Sequence, residues 1–163
     1  MRHLISTLVV NQPGVMVRVA GLFSRRGYNI ESISVGRSED PALARIIIVV
    51  EAEDDRIVEQ IEKQLYKLID VVKVTDLPVE ESIERELALI KVNASAQTRA
   101  EIMQIVDIFR AKIVDVSSRA VVIELTGGSA KVDAFISLLK TYGIREVVRT
   151  GQIAMQRTQK KEK

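Results

Sequence analysis

The order in which apolar periodicities succeed one another is the strongest constraint on this chain. Twice, over about 75 residues each time, a strand-like run is followed by a helical run, two strand-like runs, a second helical run and a closing strand. In the first copy residues 4–10 read as a strand. Val15–Arg26 then carries Met16, Val19, Ala20 and Phe23 at helical spacing, and Gly27 stands where a left-handed cap ends such a helix. Residues 44–50, ARIIIVV, form a nearly continuous β-branched run, the pattern of a central strand covered by helices. The next helix places Ile57, Val58, Ile61, Leu65 and Leu68 on one side, and Val71-Val72-Lys73-Val74 gives the fourth strand. The acidic run Glu51-Ala52-Glu53-Asp54-Asp55 suits the start of that helix, where the macrodipole favours carboxylates, better than it suits a metal site.

The second copy keeps the order with little shared sequence. Residues 86–93 read as a strand, and Thr98-Arg99-Ala100-Glu101 matches the capping-box pattern before a helix with Ile102, Ile105, Val106 and Phe109. Lys112–Val116 and residues 120–125 pair through the polar turn Ser117-Ser118-Arg119. Gly127-Gly128-Ser129, readable as a phosphate cradle or as a plain turn with Ser129 as N-cap, leads into a helix carrying Val132, Phe135, Ile136 and Leu139, closed by Gly143. Residues 144–148 form the last strand, which residues 152–155 extend after Gly151. Pro and acids interrupt the periodicity at Leu77-Pro78-Val79-Glu80-Glu81-Ser82, which divides the chain into residues 1–78 and 79–163.

Each copy therefore predicts an α+β unit of ferredoxin-like βαββαβ plan: a four-stranded antiparallel sheet with two helices on one face. Such a unit leaves its other sheet face and two edges open. Residues 44–50 are apolar on both faces, so the expected remedy is packing against a second copy, giving a dimer or larger assembly. One irregularity stands out in the second strand. Tyr28 and Ile30 are apolar at even positions but Ile33 and Val35 at odd ones, which predicts a bulge or a late strand start between Ile30 and Ser32.

Composition removes most chemistries. Without cysteine there is no disulfide, thiolate nucleophile or cysteine zinc site. No apolar run approaches the roughly 18 residues of a membrane span, and no signal-peptide pattern opens the chain, so a cytoplasmic protein is expected. Residues 1–78 hold 10 basic and 11 acidic side chains, residues 79–156 hold 10 of each, and residues 157–163 hold four and one. The basic balance thus belongs to the tail and not to a face that would bind nucleic acid. Aromatic residues are 4% of the chain and none lies in the central strands, against base stacking as in RNA-recognition sheets. His3 is the sole histidine, and neither a Walker loop nor a nucleophile elbow is present. No catalytic or metal-ligating set emerges. A binding or regulatory module remains.

Its best candidate site is the turn Asn11-Gln12-Pro13-Gly14-Val15. Pro and Gly deliver the backbone into an apolar helix whose first N–H groups lack intrahelical partners and can meet a carboxylate or phosphate. A plain turn accounts for the same residues.

Asn11-Gln12-Pro13-Gly14-Val15 followed by Val19-Ala20-Gly21-Leu22-Phe23-Ser24-Arg25-Arg26-Gly27-Tyr28-Asn29-Ile30-Glu31-Ser32 resembles the ACT domain, and in particular that of the small regulatory subunits of acetohydroxyacid (acetolactate) synthase. Gln60-Ile61-Glu62-Lys63-Gln64-Leu65, Arg85-Glu86-Leu87-Ala88-Leu89-Ile90, Phe109-Arg110-Ala111-Lys112-Ile113 and Lys131-Val132-Asp133-Ala134-Phe135 extend the resemblance over nearly the whole chain. It implies a subunit without an active site of its own. Such a subunit binds and activates a large catalytic subunit, which carries thiamine diphosphate, Mg and FAD, and confers feedback inhibition by a branched-chain amino acid, usually valine.

The resemblance also implies an effector held where two ACT domains meet side by side. Asn11, Gly14, Val15 and Met16 would line one side, and Asn29 and Ile30 of the neighbouring copy the other. Burying about four carbons of a branched side chain is worth roughly 3 kcal/mol. That selects such side chains over glycine but does not separate valine from isoleucine. Two rivals share the fold: a free-standing amino-acid-binding ACT protein, and a small acylphosphatase-like hydrolase.

Overall fold

The computed structural model describes residues 2–52 and 54–158. Glu53 of the acidic run and the basic residues of the tail beyond 158 lie outside the described residues. Two compact units emerge: Met1–Ile83 together with Gln152–Lys163, and Glu84–Gly151.

The first unit runs β1 (Arg2–Val10), α1 (Val15–Arg26), β2 (Ile30–Arg37), β3 (Leu43–Glu51), α2 (Asp55–Leu65) and β4 (Val71–Leu77). Its sheet has the order β2-β3-β1-β4 with antiparallel neighbours, the ferredoxin-like arrangement expected from the sequence. The β-branched run lies in β3, which is central and pairs β1 from Arg2↔Glu51 to Val10↔Leu43. Alternation then sorts its side chains. Ala44, Ile46, Ile48 and Val50 join Ile5 and Val9 of β1 beneath the helices, where Val19, Leu22 and Phe23 of α1 and Val58, Ile61 and Leu65 of α2 complete the core.

Local signals set the helix ends. Gly27, at φ 70°, gives its N–H to the last carbonyls of α1. Asp54 caps α2, its carboxylate accepting from the amides of Arg56 and Ile57, which is the structural role expected of the acidic run. The expected break in β2 is present: its register on β3 shifts between Ile30 and Ser32.

The second unit contains most of β5 (Ser82–Asn93), then α3 (Arg99–Ile108), β6 (Lys112–Val116), β7 (Ala120–Gly127), α4 (Ser129–Leu139) and β8 (Ile144–Arg149). Strand order β6-β7-β5-β8 repeats the plan of the first sheet. Ala88, Ile90, Val92, Val121, Ile123 and Leu125 meet Ile102 and Val106 of α3 and Val132, Phe135 and Leu139 of α4 in its core. On β5, Glu86 is buried and paired with Arg149 of β8, which also reaches Asp133 at 2.7 Å.

Three expectations change. Residues 152–156 do not extend β8. They form β9 (Ile153–Gln156), which pairs β5 and groups with the first unit, whereas the division at 78/79 places it with the second half. The reason is that Ile47 and Val49, on the face of β3 away from the helices, need cover. With Leu4 and Leu77 they make a small buried cluster against which Ala154 packs. That face, expected to wait for a second copy, is thus partly covered by the chain itself. The linker is also shorter than expected, since a single 3-10 turn, Val79–Glu81, separates β4 from β5.

The third change concerns caps. Thr98 does not close a capping box. It exchanges hydrogen bonds with Ser95, and Glu101 accepts from the Tyr142 hydroxyl at 3.0 Å instead. Gly128, not Ser129, is the N-cap of α4.

Candidate functional site

The turn after β1 has the form its residues dictate. Asn11 gives its backbone N–H to Ala42 O at 2.8 Å, and its Nδ2 donates to Pro41 O at 3.2 Å. Both bonds tie the turn to the β2–β3 connection, and Asn11 itself is exposed. Gly14 is the N-cap of α1 at φ 87°, left-handed backbone that glycine adopts without strain. No side chain caps the helix and no acid lies in its first turn; the Val15 N–H donates to Gln12 O at 3.5 Å, and no capping side chain neutralises the positive end of α1. Val15 turns its side chain into the core, 3% exposed, and offers the turn only its backbone; Met16 is half-buried against the same core.

Sequence reading missed Arg18. One turn after Gly14 on the same helix face, its guanidinium lies 3.2 Å from where a Gly14 side chain would begin. Its Nε donates to Asp70 Oδ2 at 2.6 Å, and the Asp70 carbonyl accepts from Val10 N at 2.9 Å. Arg18 therefore pins the α2–β4 connection to the start of α1 and keeps a half-exposed cation beside the open amides. The i, i+4 spacing of Gly14 and Arg18 was its signal.

The other half of the expected site is elsewhere. Asn29 is exposed and Ile30 half-buried at the start of β2. Ile30 pairs with Val50, whereas Asn11 follows the strand end at which Val10 pairs with Leu43. Seven residues of β3 separate these points, about 23 Å at 3.3 Å per residue. One copy of the chain brings Asn11, Gly14, Val15 and Met16 together. It does not bring Asn29 and Ile30 to them.

Nothing in this arrangement resembles a nucleophile with its base, and among the described residues no cluster of three or more acidic or imidazole groups has metal-site geometry. It suits a small zwitterion or anion: amides and a guanidinium for the negative end, an amide oxygen for an ammonium.

Comparisons with known proteins place the chain in a family. The family described as small subunit of acetolactate synthase matches residues 85–158, and the AHAS small subunit-like ACT domain matches residues 5–73. A probable acetolactate synthase small subunit of Archaeoglobus fulgidus is 55% identical over 161 residues, covering 99% of this chain and 100% of that protein. The acetolactate synthase small subunit of Bacillus subtilis is 51% identical, over 99% and 94%. The crystal structure of the acetolactate synthase small subunit from Thermotoga maritima superposes with a TM-score of 0.90 at 53% identity, over 98% of this chain and 99% of that one. The chain belongs to the acetolactate synthase small-subunit family, with the family's ACT domain as its first half.

Proposed function

We propose that this chain is the non-catalytic regulatory subunit of an acetolactate synthase, which activates a thiamine-diphosphate-dependent catalytic subunit and makes it sensitive to a branched-chain amino acid, valine foremost. The thiamine diphosphate, Mg and FAD of the reaction belong to the catalytic partner. The observation that carries the reading is the uncapped start of α1 between Asn11 and Arg18, lying a strand's length from Asn29 and Ile30. A site split in this way closes when two β2 edges lie side by side antiparallel. The Ile30 end of one copy then falls beside the Arg37 end of the other, where Asn11 is bonded to Pro41.

In that arrangement the effector carboxylate meets the amides from Gly14 to Met16, with Arg18 adding charge. The Asn11 and Asn29 side chains hold its polar ends, and Ile30 takes the branched side chain. The effect on the enzyme is linkage: the effector binds one state of the ACT pair better, and that state activates less, a coupling of typically 1–3 kcal/mol.

Reconstitution tests this. The purified chain, mixed with an acetolactate synthase large subunit, is expected to raise acetolactate output and to make it fall on adding valine. No activation at saturating chain would instead favour a free-standing amino-acid-binding protein.

A further inference from the structure

The face of the first sheet that points away from the helices is divided in two. At one end Leu4, Ile47, Val49 and Leu77 are buried under Ala154. At the other end the register sets Arg45 and Lys73 on either side of Leu8, and Ser6 opposite Thr75. β9 does not close this polar end. Between it and the sheet lies a cleft of about 320 Å³, lined by those four polar side chains, with Glu39 at its rim and Met155 and Gln156 of β9 above.

The cleft has more donors than acceptors. Arg45 Nη1 donates to Ser6 Oγ at 3.2 Å, which leaves the Ser6 proton free to be given elsewhere. Ser6 is itself 5% exposed. Arg45 Nη2 reaches Glu39 at 3.5 Å, but that carboxylate is 79% exposed and screened by water, so it offsets little of the charge within. Among the described residues Lys73 has no carboxylate partner. Two cations thus line one cleft whose single carboxylate, Glu39, stands at the rim.

We propose that this cleft binds a small phosphate monoester, its phosphate group gripped by Arg45, Lys73, Ser6 and Thr75. A guanidinium, an ammonium and two hydroxyls line the same cleft, a donor set that suits the oxygens of a tetrahedral dianion; a carboxylate would leave part of the set unused. The volume exceeds that of phosphate alone and admits a small organic group. The site lies on the opposite sheet face from the start of α1 and does not depend on the amino-acid site proposed there. Because Met155 and Gln156 form its upper wall, an occupant also holds β9 against the sheet.

The experiment is a titration of the full ¹⁵N-labelled chain with inorganic phosphate and with glycerol 1-phosphate, each against potassium chloride of equal ionic strength. Saturable shifts are expected at the amides of Arg45, Thr75 and Gln156, with slower hydrogen exchange in Ile153–Gln156 at saturation. Lys73→Gln, at an exposed position, is expected to weaken binding at least about tenfold, and Arg45→Gln to do the same, with valine binding unmoved in both. Tighter binding of the ester than of phosphate places the organic group in the cleft, and equal binding restricts recognition to the phosphate. Shifts that grow linearly and match those in chloride, or a Lys73→Gln chain that saturates as the parent does, overturn the proposal.

Discussion

Gly14 and its neighbours decide whether the start of α1 is a binding site. Gly14→Asp is the informative change, because Asp is among the side chains that best tolerate left-handed backbone. Its carboxylate would occupy the open amides and pair with Arg18, whose guanidinium is already 3.2 Å from the first added carbon. Valine affinity is expected to fall about 100-fold by calorimetry, whereas Gly14→Ala, which adds bulk without charge, should lose far less. Unchanged affinity in Gly14→Asp would put the effector elsewhere. A second residue gives a pH signature. Partial burial, then Asp76 and Glu59, raise the Glu62 carboxyl above its ordinary value. A raised acid favours the fold only when protonated, so its contribution is most favourable below the unfolded value and declines as pH climbs toward the folded one. Glu62→Gln is therefore expected to stabilise the chain at pH 7 by less than about 1 kcal/mol, since water screens the charge, and to be neutral near pH 3 in urea melts. At this scale the sequence was partly legible. The turn at Asn11 and Gly14 could be named because turn chemistry is local, whereas Asn29 and Ile30 could be named only through the family resemblance. The inward side chain of Val15 and the reach of Arg18 to Asp70, 52 residues away, depend on tertiary packing that spacing does not record.

Among the elements, β1 to β8 were readable because each carries its own period, and even the bulge in β2 followed from a change of parity. β9 was not. Gln152-Ile153-Ala154-Met155-Gln156 alternates like any short strand, and placed just after β8 it reads as a continuation. Its pairing with β5 and the packing of Ala154 over Ile47 and Val49, more than 100 residues earlier in the chain, take it back to the first unit. Its alternation is informative in retrospect: Ile153 and Met155 are largely exposed while Ala154 packs on the sheet. Ala154→Leu forces a larger side chain between β9 and the tightly packed cluster of Leu4, Ile47, Val49 and Leu77. Overpacking is expected to cost about 2 kcal/mol in guanidinium unfolding and to bring ANS binding. Unfolding within about 0.5 kcal/mol of the parent, the range of ordinary surface changes, would mean that β9 contributes nothing to holding this face.

At the scale of the whole molecule, the amino-acid site and the assembly are one question. Two βαββαβ units were legible from the repeated order of elements, but a repeat does not say which edge a second copy takes. The proposed dimer uses β2, and Val35 is the residue on that edge by which to test it. Val35 is 50% exposed in the single chain, so Val35→Glu leaves the isolated fold intact. In a side-by-side pair of β2 strands the substitution sets two like charges about the twofold axis, next to strands that exclude water. The dimer dissociation constant is then expected to rise at least about tenfold, which corresponds to 1.4 kcal/mol, as read by sedimentation. Valine binding should fall with it at fixed protein concentration and recover as the concentration is raised, because Asn29 and Ile30 reach the turn at Asn11 only from another copy. A monomeric Val35→Glu chain that binds valine as tightly as the parent would break the link between site and assembly. It would leave Asn11, Gly14 and Arg18 as a complete site within one chain, and Asn29 and Ile30 would have no part in it.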